Sequence, residues 1–247
     1  MSRLEGKRAL VTGGSRGIGA AIALRLADEG ADVALTYEKS RDRAEAVVAK
    51  IEARGRKGLA IAADSADPVA AKSAVDRAAA ELGGLDILVN SAGIVRGYGP
   101  IETWTLEDID RTLAVNVRGV ILATQAAAAH LSKGGRVITI GSNLAERVPQ
   151  PGITLYAASK SALLSFTRGL AHDLGPRGIT VNLVHPGSTD TDMNPATGEG
   201  ADFQRSRMPI PEYGKPQDIA GIVAWLASEE GRFANGAGFT VDGGANA

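Results

Sequence analysis

The sequence contains no cysteine. Disulfides, thiolate catalysis and cysteine-based zinc sites are therefore excluded, and we expect a cytoplasmic protein, because a reducing compartment suits such a chain. The three histidines, His130, His172 and His185, lie far apart and form no HxH or HxxxH spacing. We therefore predict no metal site. His130 and His172 fall on predicted helices and are expected at the surface or an interface, whereas His185 is a candidate for the substrate pocket.

An excess of charge of one sign is also missing, since 27 Lys and Arg oppose 28 Asp and Glu. With the charges balanced, the protein has no strong electrostatic field that would attract nucleic acid or an anionic membrane surface. No run of about 18 apolar residues occurs, and the N-terminal segment has no long apolar stretch followed by a cleavage site. We expect a soluble protein that binds small molecules or one protein face, with no nucleic-acid or membrane partner.

Short apolar runs alternate with Ala-rich helical patterns along the 247 residues, of which 44% are hydrophobic. Seven runs are predicted as strands, at residues 8–11, 33–37, 58–63, 86–90, 136–140, 179–184 and 239–241. Helical patterns cover residues 17–30, 41–54, a stretch after Pro68, 106–131, 155–174 and 217–228. Continuous apolar strands separated by helices favour a single α/β domain over residues 1–247. We predict a doubly wound, Rossmann-like parallel sheet of seven strands with helices on both faces.

A glycine-rich turn follows the first predicted strand directly, with the sequence Thr12-Gly13-Gly14-Ser15-Arg16-Gly17-Ile18-Gly19. It opens a helix, whose free N–H groups and positive dipole end suit a pyrophosphate. The usual GxGxxG spacing is absent. The turn therefore predicts a dinucleotide site that includes Gly13, Ser15, Arg16, Gly17, Ile18 and Gly19. The alternative is a tight turn that needs glycine only for its dihedral angles.

The residue after the second strand indicates which dinucleotide binds. An acidic side chain there accepts a hydrogen bond from the adenosine ribose and repels a 2′-phosphate. This chain has Tyr37 at that position instead. Arg16 offers a guanidinium that can clamp a phosphate. The sequence favours NADP(H). NAD(H) remains the alternative because Glu38 follows directly, although Lys39 and Arg41 oppose its charge.

The ends of the third and fourth strands carry further candidate cofactor contacts, since ligands in such sheets lie beyond the carboxyl ends of strands. Asp64, with Ser65 beside it, is placed to accept from the adenine amino group; alternatively, Asp64 caps the next helix. Asn90, Ala92 and Gly93 end the fourth strand, where small residues let the backbone approach the cofactor.

Tyr156 and Lys160 are four residues apart in a helical pattern, so their side chains leave the same face. A phenol with a pKa of about 10 shuttles protons poorly at neutral pH, but a neighbouring ammonium lowers that pKa. Ser142 closes the fifth strand, where its hydroxyl can bind the reacting carbonyl oxygen. Its alternative role is a cap at the strand end.

These residues resemble the short-chain dehydrogenase/reductases, and within them the 3-oxoacyl-[acyl-carrier-protein] reductases. The glycine turn is similar to the family's TGxxxGxG, residues 156–160 to its YxxxK, and Ser142 and Asn116 to its catalytic serine and asparagine. Pro186, Gly187, Thr189 and Thr191 lie in a segment similar to the family's PGxxxTDM, and are cofactor contacts by that resemblance. One departure is Ser91, where the family usually has a second asparagine. The resemblance implies catalysis by Asn116, Ser142, Tyr156 and Lys160, with Tyr156 and Lys160 also contacting the cofactor.

The implied reaction is hydride transfer from the nicotinamide to a carbonyl carbon, with the proton from Tyr156 and with Asn116 holding a relay water. The resemblance further implies a 3-oxoacyl thioester or similar β-keto substrate and a homotetramer. An acyl carrier protein would need a basic rim, for which Lys133 and Arg177 are candidates near the mouth. Alternatives are a sugar, polyol, steroid or ring-ketone dehydrogenase, and a non-catalytic dinucleotide-sensing protein.

Residues 187–215, rich in Gly and Pro, are predicted to form a substrate flap. The alternative is a disordered insertion.

Overall fold

The computed structural model describes residues 2–247, which form one seven-stranded sheet in the order β3-β2-β1-β4-β5-β6-β7. All six strand pairings are parallel, so the predicted fold class is confirmed. The strands are β1 (Arg8–Thr12), β2 (Asp32–Tyr37), β3 (Gly58–Ala62), β4 (Ile87–Asn90), β5 (Arg136–Ile140), β6 (Thr180–Pro186) and β7 (Gly238–Val241).

Helices cover both faces of this sheet, because each central strand is apolar on both sides. The helices are α1 (Gly17–Asp28), α2 (Arg41–Glu52), α3 (Pro68–Leu82), α4 (Leu106–Leu113), α5 (Gly119–His130), α6 (Thr154–Leu174), α7 (Ala201–Arg205) and α8 (Pro216–Ala227). One apolar core is formed with α1, α2 and α8, and a second with α3, α5 and α6.

The strand order reverses between β1 and β4, since β2 lies on the opposite side of β1. In the register of this pair Thr12 lies beside Asn90 at the carboxyl edge. A crevice forms at such a switch point, and ligands of open α/β sheets bind there. The fold therefore places the glycine turn and the end of β4 side by side.

The helix predicted over residues 106–131 is interrupted. A π-helical turn, Ala114–Arg118, separates α4 from α5, and Asn116 lies at its centre. Turns of this kind insert one extra residue into a helix and occur frequently at functional sites. The apolar periodicity continues through the turn, so the sequence pattern does not reveal it.

By length and composition alone, the stretch Leu106–His130 could cross a membrane, with a mean hydropathy of 1.2 over its most apolar window. However, 56% of that window is buried inside the protein. Core helices of globular proteins have the same character, and α5 packs against α3 and β4.

Residues 187–215 are folded, so the alternative of a disordered insertion is wrong. Gln204 of α7 accepts hydrogen bonds from Ser188 and from Asn194 at 3.0 Å. Arg207 donates to the carbonyl of Pro149 at 3.0 Å, in the loop that precedes α6. We call residues 187–215 the flap; it is fastened beside the helix that carries Tyr156.

Candidate active site

The glycines of the turn after β1 are required by close contacts as well as by dihedral angles. Gly13 and Gly17 have φ of 66° and 54°, in the region that favours glycine. A Cβ on Gly13 would lie 2.8 Å from Ala92 Cα, and one on Gly19 would collide with the carbonyl oxygen of Gly13. Dihedral angles alone therefore do not explain why the turn needs glycine at these positions.

Two threonines that the sequence analysis did not single out hold this turn in place. The hydroxyl of Thr12 accepts from the backbone N–H groups of Ser91 and Ala92 at 3.0 and 3.2 Å. The hydroxyl of Thr36 accepts from Gly13 N at 3.0 Å. The turn is thus fixed to β2 on one side and to the end of β4 on the other.

Arg16 lies at the outer end of the turn, where a second arginine joins it. A guanidinium nitrogen of Arg16 is 3.5 Å from Asp192 Oδ2, and one of Arg43 is 2.5 Å from the same oxygen. Arg43 was missed because it lies 149 residues from Asp192 in the chain, and no local pattern reports such a contact. Tyr37 packs against the core at the end of β2, as Ile18 does in α1.

Arg111 of α4 binds the two carboxylates expected near the adenosine. It donates to Asp64 Oδ2 at 2.8 Å and to Glu38 Oε1 at 3.2 Å. Asp64 also accepts from Ala66 N at 2.8 Å. The helix-cap alternative for Asp64 is wrong, because Asp67 caps α3 by accepting from the first free N–H groups of the helix.

Asn90 lies at the base of the crevice and is buried. Its amide nitrogen donates to Thr124 and Thr139 at 3.0 and 3.3 Å, while its Oδ1 has no partner within residues 2–247. A narrow cleft extends along this edge, lined by Thr12, Thr36, Ser65, Asn90, Ala92 and Gly119 among others. The glycines beside this cleft have no room for a Cβ, and the cleft lies at the switch point of the sheet. Both features fit the binding of a dinucleotide.

Ser142, Tyr156 and Lys160 meet at the carboxyl end of β5. The Ser142 hydroxyl accepts from Leu144 N at 3.2 Å, as the strand-end cap requires, and it lies close enough to the Tyr156 hydroxyl to influence its pKa. The ammonium of Lys160 donates to Ile140 O at 2.9 Å and lies 5.8 Å from the centroid of the Tyr156 ring. The backbone of Gly93 passes close to this ammonium.

Burial governs the acidity of this pair. It raises the pKa of Tyr156 above its ordinary value, although the neighbouring Ser142 hydroxyl opposes the shift. It also lowers the pKa of Lys160 to about 8. The predicted lowering of the Tyr156 pKa by Lys160 is therefore wrong in direction for the protein itself, because desolvation disfavours the phenolate.

Asn116 is fully buried, and its amide is engaged with protein groups. Nδ2 donates to Ile94 O at 2.9 Å and to Ser159 Oγ at 3.0 Å, and Oδ1 accepts from Ile94 N at 2.9 Å. The hydroxyl of Ser159 in turn donates to the carbonyl of Tyr156 at 2.7 Å. These contacts show Asn116 holding the loop after β4 and the first turns of α6.

The segment after β6 borders the same crevice. Pro186 pairs with Val241 in the sheet, and a Cβ on Gly187 would lie 2.5 Å from Asp242 Cβ. The Thr189 hydroxyl donates to Gly187 O at 3.1 Å, and the side chain of Thr191 lies against Gly17.

His185 is buried at the end of β6, behind Ser142. Its Nδ1 lies 2.8 Å from the carbonyl oxygen of Ser142. Because a carbonyl only accepts, Nδ1 must carry the hydrogen. His185 therefore supports the backbone of Ser142 instead of lining a substrate pocket.

Lys133 and Arg177, predicted near the mouth, lie elsewhere. Lys133 precedes β5 and Arg177 precedes β6, so both lie at the amino ends of strands whose carboxyl ends carry the site. Arg177 donates to the last carbonyls of the α5 region, at Ala128 and Leu131. The prediction is wrong because sequence alone did not show at which end of its strand each residue lies.

A family model described as Enoyl-(Acyl carrier protein) reductase matches residues 13–246. A short chain dehydrogenase from Burkholderia cenocepacia J2315, solved in complex with NADP, is 68% identical with a TM-score of 0.98, covering 99% of this chain and all of that one. The chain belongs to the short-chain dehydrogenase/reductase family. This oxidoreductase assignment confirms the family resemblance of its motifs.

Two curated relatives show how varied the functions of similar short-chain dehydrogenase/reductases are. The cyclic-di-GMP-binding biofilm dispersal mediator protein of Escherichia coli (strain K12) is 44% identical over 98% of both chains. A probable tetrahydroxynaphthalene reductase of Zymoseptoria tritici is 40% identical over 99% of this chain and 96% of its own. Family membership therefore fixes the class of chemistry and leaves the substrate open.

Proposed function

We propose that this short-chain dehydrogenase/reductase uses NADPH to reduce a carbonyl group to an alcohol, with a 3-oxoacyl thioester or similar β-keto compound as substrate. The observation that carries the proposal is the meeting of Ser142, Tyr156 and Lys160 beside the crevice at the carboxyl end of the sheet. A proton donor, a hydroxyl that can bind an oxygen and a cation are thereby placed in one site.

The residues of the site divide the reaction between them. NADPH, when bound, supplies the hydride that the carbonyl carbon receives. Tyr156 gives its phenolic proton to the carbonyl oxygen, which completes the alcohol. Because burial raises the pKa of Tyr156, the phenol keeps its proton at neutral pH, which suits reduction. Ser142 donates a hydrogen bond to the same oxygen as negative charge develops there.

Lys160 is suited to hold the cofactor. An ammonium has three donors, and within residues 2–247 Lys160 uses one of them, on Ile140 O. The other two are available for ribose hydroxyls beside Gly93. The glycine turn, with Ser15 and the free N–H groups of α1, would hold the pyrophosphate.

The charges at the adenosine end support NADPH over NADH. Tyr37 replaces the acid that reads the ribose, and Arg111 binds the carboxylate of Glu38, which was the main reason to consider NAD(H). Arg16 and Arg43 lie together nearby. The similar Burkholderia enzyme was solved with NADP.

The rim of the site supports an apolar substrate. Tyr98, Val148 and Phe203 lie on or beside segments that are hydrogen-bonded to the loop before α6, and about half or more of each is exposed (68%, 49% and 52%). Exposed apolar side chains near a site are a sign of a binding surface. An acyl chain fits this rim. A ring ketone is the second candidate, since the Zymoseptoria relative is named for a ring compound, tetrahydroxynaphthalene.

The proposal is tested by following the consumption of NADPH and of NADH with acetoacetyl thioesters, cyclic ketones, steroids and sugars. We expect the highest kcat/KM with NADPH and a β-keto thioester. Higher kcat/KM with NADH would overturn the cofactor assignment, and preference for a ring ketone would overturn the substrate. Binding of NADPH without turnover of any compound would favour the sensing alternative over an enzyme.

We also propose a homotetramer that assembles through α5 and α6. Ile121 of α5 is 40% exposed, and the exposed face of α6 includes the small residues Ala162 and Ser165, which allow helices to pack closely. Light scattering that shows a stable monomer would contradict this.

A further inference from the structure

Three charged residues from separate segments meet above the glycine turn. Arg16 belongs to the turn, Arg43 to the first turn of α2, and Asp192 to the flap. Both guanidinium groups contact the same carboxylate oxygen, at 3.5 and 2.5 Å. The neighbouring Thr191 lies against Gly17, so this part of the flap covers the turn.

Two guanidinium groups this close together repel each other, and an anion between them offsets that repulsion. Arg16 and Arg43 therefore form a single anion site, and in this structure the carboxylate of Asp192 is that anion. The interaction keeps the pKa of Asp192 below its ordinary value, chiefly through the Arg43 hydrogen bond, so the carboxylate is charged at neutral pH.

The position of the site matches the adenosine end of a dinucleotide. Arg16 lies in the turn that suits the pyrophosphate, and Arg43 lies just beyond Tyr37, the position at which the ribose is read. All three side chains are more than half exposed, at 59%, 58% and 51%. Ion pairs this exposed are weak, so a phosphate, which carries more charge and more acceptor oxygens, can displace the carboxylate.

We propose that Asp192 is an internal competitor for the 2′-phosphate of the cofactor, which must displace the flap carboxylate from Arg16 and Arg43. The proposal rests on the proposed use of NADPH. NADH has no 2′-phosphate and leaves the ion pairs in place. Asp192 therefore weakens NADPH binding selectively, and it ties the position of the flap to the kind of cofactor bound.

The test measures the Kd of NADPH and of NADH by fluorescence titration for the wild type, Asp192→Asn and Arg43→Gln. Asp202→Asn is the matched control, because it removes the same charge from the same flap and breaks an ion pair with Arg205 at 2.6 Å. We expect Asp192→Asn to bind NADPH about fivefold more tightly, with the Kd of NADH unchanged. Arg43→Gln should weaken NADPH alone, and should abolish the gain when combined with Asp192→Asn.

The outcomes separate this inference from the proposed function. An NADPH preference in the wild type that Asp192→Asn does not strengthen, or that Asp202→Asn strengthens equally, overturns the inference alone. A wild type without NADPH preference overturns the cofactor assignment and the inference with it.

Discussion

Asn116 and Ile94 are joined by two hydrogen bonds, one from Asn116 Nδ2 to Ile94 O and one from Ile94 N to Asn116 Oδ1, both 2.9 Å long. The side-chain amide thus pairs with a backbone peptide as a neighbouring strand would. Through Ser159, the same amide also reaches the backbone of Tyr156. One side chain therefore couples the loop after β4 to the helix that carries the proton donor.

Replacing Asn116 by Leu keeps the approximate size of the side chain and leaves the polar groups of Ile94 unpaired. Each unpaired buried group costs about 1–3 kcal/mol, so the free energy of unfolding should fall by about 2 kcal/mol or more. We also expect a lower kcat/KM, because Tyr156 loses its support. Urea unfolding and steady-state kinetics measure the two effects.

Thr112→Val is the control, four residues earlier on α4. The hydroxyl of Thr112 is fully buried with no partner in the described part of the chain, so its removal should leave the stability unchanged or increase it. Equal destabilisation by both variants would show that the hydrogen bonds of Asn116 have no special importance.

Tyr156→Phe keeps the ring and removes the proton. General acid catalysis contributes about 10²- to 10⁴-fold, and kcat should fall by that factor while the Kd of NADPH stays within about twofold. Tyr213→Phe removes a phenol elsewhere, one that makes a long hydrogen bond to Asn194, and should retain kcat. Near-normal turnover by Tyr156→Phe is incompatible with the proposed role.

Lys160 should make the stability rise with pH above about 8. Burial lowers its pKa to about 8 from 10.5, so between these values the folded protein releases a proton that the unfolded chain keeps. The unfolded state then binds more protons, and the free energy of unfolding increases through this window by at most about 3 kcal/mol. Urea unfolding between pH 7 and 10 should show this rise in the wild type but not in Lys160→Met. Parallel pH profiles for the two proteins would mean that the lysine titrates at its ordinary pKa.

Arg111→Met should shift cofactor choice toward NADH. Without Arg111, the carboxylate of Glu38 is free to accept from a ribose hydroxyl and to repel a 2′-phosphate. We expect the ratio of kcat/KM for NADPH to that for NADH to fall about tenfold, the equivalent of ~1.4 kcal/mol. The double variant with Glu38→Gln should recover the ratio; failure to do so would mean that Glu38 does not carry the effect.

Gly19→Ala should greatly weaken cofactor binding and lower the melting temperature, because its Cβ would collide with the backbone of Gly13. Gly221→Ala is the matched substitution within α8, where the nearest atom to a Cβ is a guanidinium nitrogen of Arg25 at 4.0 Å. It should stabilise the protein by about 0.5–1 kcal/mol through helix propensity. Thermal unfolding and NADPH titration separate the two, and similar values for both variants would contradict the close packing of the turn.

The sequence predicts the sheet well because each strand is a local apolar run, and the predicted bounds differ from the observed ones by two residues at most. Tyr156 and Lys160 share a helix face for the same local reason. Contacts between distant segments, such as Arg43 with Asp192, have no local pattern. The acidity of Tyr156 depends on burial by the whole fold, which the spacing to Lys160 does not report.

The π turn at Ala114–Arg118 also has an evolutionary consequence. The turn holds one residue more than a regular helix would, so a one-residue deletion there would leave α5 facing the sheet but remove the wide turn on which Asn116 lies. Because the turn places Asn116 against Ile94, length changes in this segment should be rejected by selection even where substitutions are accepted. Natural variants should show a fixed spacing between the residues at positions 94 and 116 and the helix that follows.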